Sequence, residues 1–202
     1  KDGTAKLWNP FRAVESEILP DSKQLAWFSP DGARLITLNG DGRLHRWHTR
    51  NREDMGMVGP NLTNDQVKAW TISGHGETLA VGMENEDIEI WNLKTGQREK
   101  SFPRAIARIA ELAFSRDGAL LAAASLRPTA GAADQATLRI WDTASGAVAG
   151  TYPNAFRPLA FSSDKHRLVS TRLVGRVAVW GLGSGRSIAG LQVNITWVGV
   201  FS

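Results

Sequence analysis

Asp41-Gly-Arg-Leu-His-Arg-Trp47 and Gln135-Ala-Thr-Leu-Arg-Ile-Trp141 are two copies of one phrase, a turn followed by a short strand that ends at Trp. The phrase recurs as Asp2-Gly-Thr-Ala-Lys-Leu-Trp8, Asn85-Glu-Asp-Ile-Glu-Ile-Trp91 and Val174-Gly-Arg-Val-Ala-Val-Trp180. Successive Trp separations are 39, 44, 50 and 39 residues. A second phrase precedes four of the five: Phe28-Ser-Pro-Asp-Gly32, Ile72-Ser-Gly-His-Gly76, Phe114-Ser-Arg-Asp-Gly118 and Phe161-Ser-Ser-Asp-Lys165. From its last residue to the Trp is 15, 15, 23 and 15 residues. Two markers held in register four times define a repeat array, and a period near 40 decides the architecture before any local reading.

Each unit reads as four short strands. Leu25 to Ser29 ends at a Pro-Asp-Gly turn, Arg34 to Leu38 follows, and a turn at Asn39-Gly-Asp-Gly42 leads into Arg43 to Trp47. The turns after the later Trp residues close on Gly96, Gly146 and Gly185, which suits the positive-φ position of a bulged hairpin. A less regular fourth strand follows, as at Gln97 to Phe102 and Ala147 to Tyr152. Strands such as Ile88-Glu-Ile-Trp91 are mostly apolar on both faces, which suits sheets stacked between neighbours. No window keeps a 3.6-residue period between turn signals, so no helix is expected.

The composition agrees with a globular all-β chain. Of 202 residues, 42% are hydrophobic and 22% charged, and there is no cysteine. Disulfides, thiolate metal sites and cysteine nucleophiles are thereby excluded. No stretch approaches the length of a membrane span. The net charge of +4 is unevenly spread. From Leu121 onward eight bases face three acids, a net +5, against −1 for the first 120 residues. Such a half can attract polyanions, but no run of consecutive bases concentrates the field.

These phrases resemble the WD-repeat β-propeller family, whose blades are four-stranded sheets of about 40–45 residues. Trp141-Asp142 is the one literal Trp-Asp pair, and Trp8-Asn9, Trp47-His48, Trp91-Asn92 and Trp180-Gly181 depart from it. The phrasing looks like the long regular arrays common in bacteria, which are often joined to kinase or other signalling domains. The resemblance implies an all-β propeller of four-stranded antiparallel blades over residues 1–202. Four complete blades are expected, with cores near 22–58, 66–103, 108–153 and 155–191, and partial blades at 1–21 and 192–202. The expected reading of those ends is a piece of a longer propeller linked to further blades and domains. The alternative is a five-fold ring whose last blade combines the two ends.

The family's His, part of a hydrogen-bonded chain to the Trp, is replaced by Leu19, Thr63, Ala105, Tyr152 and Gln192. Its turn Asp survives only as Asp2 and Asp41. The polar chain is therefore expected to be broken in every blade, with Trp47 strained because Asp41 keeps its acid without the His. Apolar packing should hold the blades.

Catalytic motifs are weak. Gly181-Leu-Gly-Ser-Gly185 lacks the third Gly of a dinucleotide fingerprint and follows a repeat Trp as a hairpin turn does. The four His fall in different blades or strand phases, so no metal site is expected. Glu84, Glu86, Asp87 and Glu89 are the densest acidic cluster and read as a solvated turn with an outer strand face. The chain is therefore expected to be no enzyme and to need no cofactor.

The resemblance implies that partners dock where the loops entering each blade meet the turns between second and third strands. Carried over by position, the contact residues are Gln24, Lys68, Arg108, Arg157 and Trp197, a cationic rim with an aromatic anchor. The third blade carries eight extra residues in Ser125-Leu-Arg-Pro-Thr-Ala-Gly-Ala-Ala-Asp-Gln135, including Arg127, on the same face. The expected function is a non-catalytic scaffold or sensor binding a protein or peptide there, in the cytoplasm and without membrane contact. The alternatives are polyanion or nucleic-acid binding by the basic half, and an enzyme with its site in a central channel.

Overall fold

The structure is a computed structural model that describes residues 6–7, 17–18, 22–62, 66–103, 105–106, 109–125, 137–153, 155, 158–171, 176–183 and 187–192. A two-stranded sheet, β1 (Lys6–Leu7) with β2 (Glu17–Ile18), comes first. Four antiparallel four-stranded sheets follow, each pairing its strands in chain order. Blade 1 is β3 (Ser22–Phe28), β4 (Arg34–Asn39), β5 (Leu44–His48) and β6 (Asp54–Val58). Blade 2 is β7 (Val67–Ile72), β8 (Thr78–Met83), β9 (Ile88–Asn92) and β10 (Gln97–Phe102). Blade 3 is β11 (Ile109–Phe114), β12 (Leu120–Ser125), β13 (Thr137–Asp142) and β14 (Val148–Pro153). Blade 4 is β15 (Pro158–Phe161), β16 (Arg167–Thr171), β17 (Arg176–Gly181) and β18 (Ser187–Gln192). No helix occurs among the described residues.

One register governs all four blades. The repeat Trp of the third strand lies opposite a Leu of the second: Trp47 and Leu35, Trp91 and Leu79, Trp141 and Leu121, Trp180 and Leu168. A bulge interrupts the pairing of third and fourth strands near each Trp. The Ser of the second marker explains the first hairpin. Ser29 Oγ accepts from Arg34 N at 2.8 Å, and Asp31 Oδ1 accepts from Ala33 N at 3.0 Å. Ser115 with Asp117, and Ser162 with Asp164, repeat these bonds in blades 3 and 4. The residue closing the marker turn has positive φ: 67° at Gly32, 69° at Gly76, 72° at Gly118 and 59° at Lys165. Glycine reaches that region without strain, and Lys165 does so at a cost.

The cores lie between blades. Leu79 and Val81 pack on Ile36, Leu38, Leu44 and Val58 of blade 1. Ala80, Ile88 and Ile90, on the other face of blade 2, pack on Ile109, Leu112 and Leu121 of blade 3. Leu138, Ile140 and Tyr152 of blade 3 then meet Leu168, Ala178 and Trp180 of blade 4. Side chains alternate along a strand, so a sheet buried on both faces must be apolar at successive positions. β8 and β12 meet that demand with Leu79-Ala-Val81 and Leu121-Ala-Ala-Ala124. Blades 2 and 3 approach so closely that a Cβ on Gly82 would stand 2.6 Å from Ile109 Cγ2.

Candidate functional site

Trp141 and Trp180 point toward the preceding blade, where the residue eleven positions after that blade's own Trp receives each of them. Phe102 stacks on Trp141 with centroids 6.2 Å apart. Tyr152 meets Trp180 edge-on at 5.3 Å, and burial pushes its phenol pKa up. The indole N–H groups find different acceptors. Trp47 Nε1 donates to Thr37 Oγ1 at 2.8 Å, and Thr37 donates on to Asn39 Oδ1 at 2.7 Å. Trp180 Nε1 donates to Ser170 Oγ at 2.8 Å. In blade 2 the matching position is Val81, and Trp91 Nε1 donates instead to Glu89 Oε2 at 3.0 Å.

The expectation that Trp47 is strained is therefore corrected, and the expectation that the polar chain is broken everywhere is corrected for its link to the indole in blades 1 and 4. A hydroxyl ten residues before the Trp accepts from the indole in blades 1 and 4, which keeps that link of the chain without the His, while Val81 of blade 2 and Ala123 of blade 3 offer no hydroxyl at the matching position. Nor is Asp41 left alone. His45, two residues before Trp47 on the same strand, bridges Asp41 at 3.2 Å and Asp54 at 3.1 Å. Burial lowers the pKa of His45, but bonds to the two carboxylates outweigh it and hold the imidazole above its ordinary value. Its ring lies 6.2 Å from that of Trp47, nearly parallel to it.

Lys68, at the start of β7, is exposed and ion-paired with Glu84 Oε2 at 2.7 Å, so the rim there is locally neutral. The turns of blades 1 and 2 on this face also present Asp41, Arg43, Glu86 and Asp87. Gln24 lies in β3, its side chain outside the described residues, as are Arg108, Arg127, Arg157, Trp197 and Trp8. Residues 126–136 of the long third-blade loop also lie outside them. Glu89 is not the solvated strand residue expected. It is largely buried, accepting from Trp91 and pairing with Arg98 at 2.6 Å. No group of three His, Asp or Glu suited to a metal ion occurs among the described residues.

Position-by-position reading of the repeat missed a cleft of about 580 Å³ at the outer edge between blades 2 and 3. Phe102 and Trp141 line it, as do Lys100, Arg139, the Ala144–Gly146 turn and Val148. Arg139 stands over the Trp141 ring at 6.0 Å and donates from Nη1 to Ala105 O at 2.7 Å. Its Nε is shielded from solvent without a partner. Lys100 Nζ donates to Thr143 O at 3.0 Å and to Ala144 O. The only signal in the sequence is that Lys100 follows Trp91 by nine residues while Arg139 precedes Trp141 by two.

No protein-family profile matches the chain. Individual proteins do. It is 26% identical over 196 residues to the WD repeat-containing protein 91 homolog of Dictyostelium discoideum, covering 91% of this chain and 24% of that protein. It is 33% identical over 100 residues to eukaryotic translation initiation factor 3 subunit I of Aspergillus terreus, covering 48% of this chain and 28% of that one. It is 25% identical over 186 residues to the Protein LST8 homolog of Drosophila melanogaster, covering 85% and 55%. The chain thus spans from about a quarter to about half the length of these relatives. All three are eukaryotic and lend the bacterial character of the array no support. With one Trp register through four four-stranded antiparallel sheets, and with similarity to a WD-repeat protein along nine-tenths of its length, the chain is built as the blades of a WD-repeat β-propeller are and is similar to members of that family.

Proposed function

We propose that the chain is a non-catalytic interaction module that binds a protein or peptide on the face formed by the blade-entry segments and the turns between second and third strands. The observation that carries this reading is the separation of duties within each blade. The inter-blade cores are nearly uniform, whereas the turns on that face carry different polar sets, Asp41 with Arg43 in blade 1 and Glu84 with Lys68 in blade 2. A rigid repeated frame with variable tips is the arrangement that recognition of one partner requires. One relative is named as a subunit of a larger factor, which also favours protein contacts. Arg108, Arg157, Trp197 and the 125–135 loop belong to this face by repeat position.

The test is selection of ligands from a displayed random-peptide library on the purified chain, followed by calorimetry. Lys68→Glu combined with Arg108→Glu and Arg157→Glu abolishes binding if the face is the site. Ligands indifferent to all three substitutions contradict it. The net +5 beyond Leu121 favours polyanion binding as the second reading. It predicts affinity for single-stranded DNA that falls steeply with salt, which peptide docking does not require.

A further inference from the structure

The geometry points to the cleft between blades 2 and 3 as a second docking site, for an extended acidic peptide segment of a protein partner. It shares with the face reading only the idea of a peptide partner and stands on different residues.

The same two positions recur at each of the three described junctions, and only here do both carry cations. Nine residues after the Trp stand Gly56, Lys100 and Gly150. Two before the facing Trp stand Glu89, Arg139 and Ala178. The junction of blades 1 and 2 thus pairs Gly with an acid, and that of blades 3 and 4 pairs Gly with Ala. The middle junction pairs Lys with Arg over a stacked Phe102–Trp141 floor. No carboxylate lines the cleft among the described residues. An ammonium has three donors, and two of those on Lys100 serve Thr143 and Ala144, leaving one for a ligand. Arg139 brings a shielded, unpartnered N–H, a group that native structures rarely leave without an acceptor. Val148, exposed at the mouth, adds an apolar contact. Two cations, an apolar floor and an exposed outer strand β10 suit alternating acidic and apolar side chains on extended backbone.

The probe is a fluorescein-labelled octapeptide of alternating Glu and Leu, titrated by anisotropy into the 202-residue chain, with a Lys-for-Glu peptide as control. Lys100→Gln and Val148→Glu change exposed side chains and leave the Phe102–Trp141 contact in place. Arg139 is spared because it also holds Ala105. The acidic peptide binds saturably and the basic one does not. Each cleft variant weakens binding by about fivefold or more, as loss of a contact charge or introduction of a like charge does, while Lys68→Gln leaves it unchanged. Absence of binding, equal weakening by Lys68→Gln, or indifference to both cleft variants overturns the proposal. So does displacement by single-stranded DNA at equal affinity, which makes the surface a general polyanion binder. The face reading fails separately, since library ligands lost with Lys68→Glu and retained in Val148→Glu uphold the face whatever becomes of the cleft.

Discussion

Trp47 and Trp91 occupy one register position in neighbouring blades, each opposite a buried Leu, yet they are held differently. Trp47 gives its N–H to Thr37 on the adjacent inner strand, and its own strand supplies His45 to bridge two acids. Trp91 faces Val81 instead and turns to Glu89, which Arg98 neutralises. The apolar frame is common, and the polar chemistry is chosen locally by whichever partner can reach. Buried donors are nearly always satisfied, but which residue satisfies them is free to vary.

The largest effect comes from breaking the common frame. Trp141, buried against Phe102, is expected to cost about 3–5 kcal/mol as Trp141→Ala, read from urea unfolding. Half-buried Trp91→Ala should cost less. Next is the local chemistry. Thr37→Val leaves the Trp47 N–H buried without an acceptor and should cost about 1–3 kcal/mol, whereas Thr37→Ser keeps the hydroxyl and most of the stability. Equal losses from the two substitutions would mean that packing, not the hydrogen bond, matters at this position.

The His45 bridge makes a pH-dependent difference between blades 1 and 2. Its pKa is raised in the fold, so its stabilisation is complete below about 6.5, the unfolded value, and is lost as pH rises through the folded value. Unfolding curves across that range should show the slope in the parent chain and not in His45→Gln. Asp117 behaves oppositely. Hydrogen bonds from Lys165 and Ser115 push it down to about 2, so its contribution holds above about pH 4 and is lost as pH falls through 2. The smallest change is Lys165→Gly, which relieves a positive-φ side chain while removing the exposed ion pair to Asp117. The two terms oppose, and a net change within about 1 kcal/mol is expected in the same unfolding assay.

The frame was legible because its requirements are local. A Trp closing the third strand, and a marker turn whose Ser holds a backbone N–H group with the help of an Asp in blades 1, 3 and 4, recur along the chain and need no knowledge of neighbours. The acceptor for the indole was overlooked because it sits one strand away, at Thr37 and Ser170, and the matching position in blade 2 is Val81. A rule drawn from a single His position could not see the substitute. The cleft was hidden for a stronger reason. Lys100 and Arg139 come from different blades, and each alone reads as a solvated strand residue. Only the stacking of blade 2 on blade 3 brings them over one aromatic pair.

Stacking of the blades in chain order is the central claim, and an ion pair at the junction of blades 3 and 4 reports it. Lys165 of blade 4 reaches Asp117 of blade 3 at 2.5 Å. Carbodiimide joins such pairs with an amide of zero length, and mass spectrometry of the digest identifies them. Consecutive stacking predicts a 117–165 cross-link alongside the within-blade links 68–84 and 77–94. A Lys165 joined instead to an acid of blade 1 or 2, with no 117–165 product, would contradict it.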